Sequence, residues 1–596
     1  MWNEEITDKM KKSYIYKASS LAVALAMLVS CSDSFLDKTP DERTEIDTED
    51  NVIALLVSAY PFVCPAWVCE LSCDNLTDNQ SPHYPTNPND KQVSAHYNWS
   101  HYSLWDNELY RFEAAEDATY ADTDSPGMCW EYYYNSIATV NAALEGIDNI
   151  IADGGEMTEK LSAAKGEALL LRAYSHFMLV NIFAKAYKNA DDSQNDIGVP
   201  YVTEVETEVS KEYDRGNVAD VYTKIGEDLE AGLELISDIN FDTAPKYHFN
   251  TNAANAFAAR YYLFTRQYEK VIEYADKVLG TDSARVQAMV LDYADFDDCS
   301  SMDDFGNVWQ DPDQANNLML TTTYSVLQRR MFGYRYSYSG TCAREALMIG
   351  SSNPLWSGYI CPIQSLVSGA LFAGTKDYGF ISSKIAEQFE YTDKIQGIGY
   401  AHIIYRAFTA NSLLLERAEA KIMLGRYDEG AEDLRLYWNC ALNTFSDDSY
   451  TAYVTGGYAK MMTNSVFTSY YNDSSNPNCF DSWDFTQQMS SDFIVPAAAV
   501  PYMNCLNEFR RYENAYEGMR FFDIKRWGMD LSHTVGLAEE IITVGYDDAE
   551  RAIEVPWETL SAGLESSRST YSKEDTDASL DAASLRVSSS SAKSTK

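Results

Sequence analysis

Apolar residues recur every three or four positions from Leu161 to Tyr187, at Leu161, Ala164, Ala168, Leu171, Tyr174, Met178 and Ile182. That spacing marks one face of a long helix. Residues 218–237 obey the same rule at Val218, Val221, Ile225, Leu229, Leu233 and Ile236. Two later stretches each predict a helix pair. Ala253 to Leu279 reads as helix, the turn Arg266-Gln267-Tyr268-Glu269, and helix; Leu413 to Leu442 reads as helix, the turn Gly425-Arg426-Tyr427-Asp428-Glu429, and helix. A helical hairpin buries its apolar face only against a neighbour, so a mainly α, stacked scaffold is expected. The pattern fails over residues 60–127 and 283–380, which are rich in Pro, Asn, Asp, Ser and aromatics. Insertions that long in an ordered domain usually carry function. From Ser561 the chain turns Ser-rich with no apolar face, predicting a disordered tail over 561–596.

The N-terminus carries a different pattern. Met10-Lys11-Lys12 precedes an apolar stretch from Ala18 to Val29, too short for the ~20 residues that span a bilayer and suited to a secretory signal peptide. The expected segment is 1–30, with Met10 a candidate initiator. Leu28-Val29-Ser30-Cys31 resembles the bacterial lipobox, so Cys31 is the expected lipidation site and first mature residue. Acyl chains at ~0.8 kcal/mol per buried methylene hold a water-soluble body on a membrane. An outer-membrane, lipid-anchored, cell-surface location follows from that reading together with the resemblance described below.

Charge removes one class of partner. The chain has 46 basic and 90 acidic side chains, a formal net charge of −44, so a nucleic-acid partner would meet repulsion at every phosphate. Any membrane contact is expected through the lipid anchor alone. Cysteine spacing offers no metal: Cys64-x4-Cys69-x3-Cys73 is not the C-x2-C of a zinc knuckle, even with His83, His96 and His101 nearby. The Asp-rich stretch from Asp292 to Asp313 lacks the spacing of a calcium loop. Gly369 to Lys376 approaches a phosphate loop, but Thr375 precedes the Lys and breaks its order. No H-E-x-x-H, G-x-S-x-G or G-x-G-x-x-G occurs. The expectation is a binding protein rather than an enzyme, with no catalytic residues, cofactor or metal. Carboxylate pairs of the glycosidase kind are too common in so acidic a chain to decide anything.

Several motifs occur in an order that resembles one family. Ala258, Ala275, Ala418 and Ala431 at close-packing positions, with a tyrosine in each turn, resemble tetratricopeptide units. Cys31-Ser32-Asp33-Ser34-Phe35-Leu36-Asp37 is followed by Trp130-x3-Tyr134-x2-Ile137-x3-Asn141. Gly166-Glu167-Ala168-x3-Arg172-Ala173-Tyr174 and Gly198-Val199-Pro200-Tyr201-Val202-Thr203 come next, then Val221-Tyr222-x2-Ile225-x2-Asp228-Leu229 and Glu416-x2-Glu419-Ala420. The last is Glu508-Phe509 with Glu517-Gly518-x-Arg520-Phe521-Phe522-Asp523-Ile524-Lys525-Arg526-Trp527-Gly528. Together these resemble the SusD/RagB family of surface glycan-binding lipoproteins. The chain departs from that family after Ile553-Glu554-Val555-Pro556, where the Asn-Pro and Gly-Tyr closing segment is absent. The resemblance implies a SusD-like binding domain over 31–560, capture of oligosaccharide or polysaccharide, and delivery to a SusC-like TonB-dependent outer-membrane transporter. Peptide cargo is the alternative the same family allows, and a glycan-degrading enzyme is a third.

Candidate contacts follow from sugar chemistry. A pyranose offers a C–H face to an aromatic ring and hydroxyls to polar side chains. Tyr97-Asn98-Trp99-Ser100-His101-Tyr102-Ser103-Leu104-Trp105 and Tyr334-Arg335-Tyr336-Ser337-Tyr338 supply such a mixture. Trp99 and Tyr336 lead the candidates, followed by Tyr97, Trp105, Trp309 and Tyr334, with Asp74 and Arg335 as polar partners; for any one ring the alternative is that it fills a loop core. Glu517, Arg520, Asp523 and Arg526 are assigned to ion pairs of the scaffold, and His176 to the core.

Overall fold

The computed structural model describes residues 46–78, 103–207, 211–291, 293–296, 299, 301–331, 335–339, 367–368, 379–442, 471, 485, 492–535 and 540–568. The chain divides into a unit over Met1–Asp47 and one over Thr48–Lys596, and all that follows concerns the second. Its helices begin with α1 (Glu49–Val57), α2 (Ala66–Leu71) and α3 (Leu104–Tyr110). Long antiparallel helices come next: α4 (Pro126–Ala152), α5 (Glu159–Phe183) and α6 (Val218–Leu235). Side-chain caps start them, since an exposed first turn has unpaired N–H groups. Ser125 accepts from the Met128 amide, Thr158 from Leu161 and Asn217 from Asp220. The helix expected to reach Tyr187 ends at Phe183, because Ala184 is extended.

Both expected hairpins form. The first is α7 (Thr251–Phe264) and α8 (Tyr268–Leu279). After α9 (Ser283–Met289), α10 (Met302–Trp309) and α11 (Leu327–Met331), the second is α12 (Ala410–Met423) and α13 (Tyr427–Leu442). Ala258, Ala275, Ala418 and Ala431 are fully buried, as close helix approach requires. Each turn needs one left-handed residue: Gly425 supplies it in the second hairpin at φ +77° and Arg266 in the first at φ +59°. A non-glycine there is unfavourable, and the Arg266 guanidinium is held by the carbonyl and carboxylate of Asp492, both at 2.8 Å. The helices close with α14 (Val500–Glu513), α15 (Met519–Arg526) and α16 (Trp557–Ser561).

Strands β1 (Thr77–Asp78), β2 (Asn317–Tyr324), β3 (Tyr336–Ser339), β4 (Val367–Ser368), β5 (Gly379–Ser382), β6 (Gln388–Asp393) and β7 (Ile398–Thr409) form two antiparallel sheets, ordered β1-β3-β5-β4 and β2-β7-β6. Strands β1 to β5 begin within the irregular insertions, and β6 and β7 follow the second of them. A separate ribbon pairs β8 (Leu531–Val535) with β9 (Glu540–Val544). Strands β1, β3, β4 and β5, of two to four residues, are too short to leave a periodic trace in the sequence.

Of the expected tail, residues 561–568 are described, and arginine hydrogen bonds tie them to the body. Arg568 is 7% exposed and donates to the carbonyls of Phe112 (2.9 Å) and Ala552 (3.1 Å). Arg215 also holds the Glu565 carbonyl at 2.7 Å. Desolvated guanidinium donors anchor a segment that composition alone marks as loose. Residues 569–596, the expected signal segment 1–30 and Cys31 lie outside the described residues. Among the described residues no helix is long and apolar enough to cross a membrane.

Candidate functional site

Of the two aromatic segments singled out by sequence, Arg335 to Tyr338 lie at β3, and Ser103 to Trp105 open α3. Asp78 of β1 pairs with Tyr336 of β3, and Ser339 of β3 pairs with Gly379 of β5. Tyr97, Trp99 and Tyr334 lie outside the described residues, as do His83, His96, His101 and the Gly369–Lys376 segment.

Of the remaining candidates, Tyr336, Arg335, Trp105 and Trp309 are buried and Asp74 is partly exposed, and each has a partner within the protein, the loop-filling alternative rather than an open sugar platform. Tyr336 is 2% exposed, donates to Asn107 Oδ1 at 3.1 Å, and lies against the Tyr110 ring at 4.7 Å. Arg335 is buried in a pair with Asp78 (3.2 Å) and a bond to Asn107 (2.8 Å). Trp105 is buried beneath the Arg330 guanidinium, 4.7 Å from its ring. Trp309 sits 3.7 Å from Arg406 and 4.5 Å from Lys384, and donates to Glu517 at 3.3 Å. Asp74 receives Arg520 at 3.0 Å. Cations already occupy the ring faces that a sugar would need, and the carboxylate is committed to an ion pair.

A different aromatic surface is available on the three-stranded sheet. In its register Tyr324, His402 and Gln388 are opposite one another, and Tyr400 is opposite Glu390. Residues directly opposite share a face, so all five project to one side. Phe62 completes the patch: its carbonyl accepts from the Tyr324 amide at 3.2 Å, and its ring lies stacked on Tyr324 (6.4 Å, 14°) and edge-on to Tyr400 (5.6 Å, 79°). Tyr132 of α4 leans on Phe62 at 6.2 Å. All four rings are half-buried.

Their polar ends distinguish them. Among the described residues the hydroxyls of Tyr132, Tyr324 and Tyr400 have no hydrogen-bond partner. The buried Nδ1 of His402 likewise lacks one. Burial, the neighbouring Glu131 and Tyr324 raise the Tyr132 phenol above its ordinary range, so it stays a neutral donor. Backbone packing fixes the hairpin beneath: a Cβ on Gly399 would fall 2.0 Å from the Glu390 carbonyl oxygen, which only glycine tolerates. On the opposite face Phe389 and Tyr391 are exposed and meet edge to face at 4.9 Å. The patch gathers residues 62, 132, 324 and 400, and the sequence reading missed it. Its one local signal is the alternation Tyr400-Ala401-His402 behind Gly399.

The C-terminal signature is scaffold, as expected. Arg510 grips Asp523 with two bonds (2.8 and 2.9 Å), and Arg526 bridges Asp523 (2.8 Å) to Glu419 (2.6 Å). Arg406 meets Glu517 at 2.8 Å. Burial pushes the Asp523 carboxyl up, but Arg510 and Arg526 outweigh it and hold the group below the usual carboxylate range. His176 is fully buried between the Arg172 carbonyl (2.9 Å) and the Val202 amide (3.1 Å). Burial lowers its imidazole to about 3. Cys64, Cys69 and Cys73 are buried free thiols, and among the described residues no group of three His, Cys, Asp or Glu could hold a metal ion.

Residues 34–263 match the SusD-like family described as "Starch-binding associating with outer membrane". The fold is similar to a SusD superfamily protein from Bacteroides vulgatus ATCC 8482, at TM-score 0.56 and 17% identity over 89% of this chain and 99% of that one. It is also similar to a SusD superfamily protein from Bacteroides thetaiotaomicron VPI-5482, at 0.52 and 16% over 87% and 100%. A third likeness is to a SusD-like carbohydrate binding protein from Bacteroides vulgatus ATCC 8482, at 0.52 and 14% over 88% and 100%. Among curated proteins none matches. The mainly helical SusD-like fold and the SusD/RagB resemblance read from the motifs are borne out.

Proposed function

We propose, for this SusD-like protein, that it captures oligosaccharide at the cell surface by non-covalent contact and passes it to a TonB-dependent outer-membrane transporter. The observation that carries the reading is the patch formed by Phe62, Tyr132, Tyr324 and Tyr400: clustered ring faces with unpaired phenol hydroxyls beside them. Rings of this kind take the C–H face of a pyranose while the hydroxyls bond its edge. At about 0.5–1.5 kcal/mol per stacked ring, three rings contribute roughly 2–5 kcal/mol, and hydroxyl bonds bring the site into the micromolar to millimolar range. That strength suits capture followed by release. The family description and the carbohydrate-binding name of one structural neighbour support glycan as cargo. Anchoring through an acylated Cys31 belongs to the same proposal.

Calorimetry of the mature protein against matched panels of oligosaccharides and peptides tests the cargo. Heat from at least one glycan class, with none from peptides, is the expected result; binding of peptides alone overturns it, and release of shortened saccharide would make the protein an enzyme.

A further inference from the structure

A separate groove lies on the helical scaffold, between α6, α7 and α8 and the segment after α5. It encloses about 500 Å³ and opens to solvent, within the ~300–1,000 Å³ of small-molecule sites. It shares no residue with the aromatic sheet face. Tyr187 forms one wall, half-buried and tilted against Tyr222 at 4.7 Å. Tyr222 and Tyr261 form the floor, and Tyr262 flanks it.

Three of these phenols are locked by the protein. Tyr222 donates to Asn181 Oδ1 (2.8 Å), Tyr261 to the Tyr222 carbonyl (2.9 Å), and Tyr262 to Glu230. Gly226, in the middle of α6, leaves room for that arrangement: a Cβ there would lie 2.5 Å from the Tyr261 hydroxyl. A mid-helix glycine is unfavourable relative to alanine, and here its effect is to keep the groove's floor open. The polar groups left over are the Tyr187 hydroxyl, the exposed Glu227 carboxylate and the Gln267 amide oxygen, none with a hydrogen-bond partner among the described residues.

The same composition could hold an organic cation, but the chain already places one there. The Lys270 ammonium sits 4.2 Å from the Tyr262 ring centre and 3.2 Å from Glu230. What the groove still offers is ring surface and an excess of acceptors, the complement of a neutral polyol with one C–H face. We infer that this groove is a second binding site, for a single pyranose unit. The choice of sugar as its occupant rests on reading the protein as a glycan binder.

Saturation-transfer NMR of the mature protein with a panel of methyl pyranosides, and with tetramethylammonium as the cationic control, tests it. At least one pyranoside should receive saturation from the wild type and from a Tyr400→Ala variant. Tyr187→Ala should weaken its affinity by at least about threefold, the loss of one ring contact. Gly226→Ala should act in the same direction, and Glu227→Gln, which keeps an acceptor, should stay within about twofold. Unchanged affinity in Tyr187→Ala, or a tetramethylammonium signal that Glu227→Gln abolishes, overturns the inference. If Tyr400→Ala removes all saccharide binding, the groove fails while the capture proposal stands. If neither NMR nor calorimetry detects any saccharide on the wild type, both fail.

Discussion

Tyrosine serves two opposite purposes in this molecule, and the helical scaffold and the three-stranded sheet show the contrast. Apart from Tyr187 at the groove, the phenols of the scaffold helices that line or flank it are tied down, Tyr222 to Asn181, Tyr261 to the Tyr222 carbonyl and Tyr262 to Glu230, as is Tyr134 to the Pro200 carbonyl. On the sheet, Tyr324 and Tyr400 keep ring surface and hydroxyls uncommitted. A phenol buried without a partner costs roughly 1–3 kcal/mol, so a half-buried ring cluster with open hydroxyls persists only where water or a ligand reaches it. Bond satisfaction, more than ring count, separates packing from binding.

The comparison breaks first if the scaffold tolerates loss of a charge. Asp523→Ala strands Arg510 and Arg526 in the interior, and a denaturation midpoint lowered by about 3–5 kcal/mol of stability is expected. Trp309→Ala should behave as a core deletion, about 3 kcal/mol or more by urea unfolding. Arg568→Ala should cost roughly 1.5–3 kcal/mol through two lost carbonyl bonds; an unchanged melt would return that segment to a loose tail.

Acid sharpens the same contrast. The His176 imidazole, held to about 3 by burial, takes its proton in the unfolded chain near ~6.5. Stability is therefore lost as pH falls from ~6.5 towards 3, by up to ~1.4 kcal/mol per pH unit. Asp124 opposes it: burial holds that carboxyl up to about 6, so the folded state binds the proton first and gains stability between ~6 and ~3.9. Unfolding curves at pH 7 and pH 5 should show a shallower acid loss in His176→Gln and a steeper one in Asp124→Asn than in the wild type.

What was legible in the sequence follows from range. Helix periodicity, hairpin turns and the Glu517–Trp527 signature are local, and the structure forms each of them, though the helix expected to reach Tyr187 stops at Phe183. Whether a ring is open depends on partners far away: Trp309 is covered by Arg406 and capped by Glu517, and Tyr336 is held by Asn107. Nothing near those residues announces that cover. The sheet patch is the converse, built from four segments, of which only the Tyr132 helix carried a recognised motif. Ser-rich composition likewise hid the Arg568 anchor.

The smallest structural change should have the clearest functional effect. Tyr324→Ala with Tyr400→Ala removes two half-exposed rings that no protein hydrogen bond requires, and circular dichroism should match the wild type. Titration calorimetry with the best oligosaccharide of the panel should then show affinity reduced by at least about fivefold. Isotherms that superimpose on those of the wild type would contradict the account.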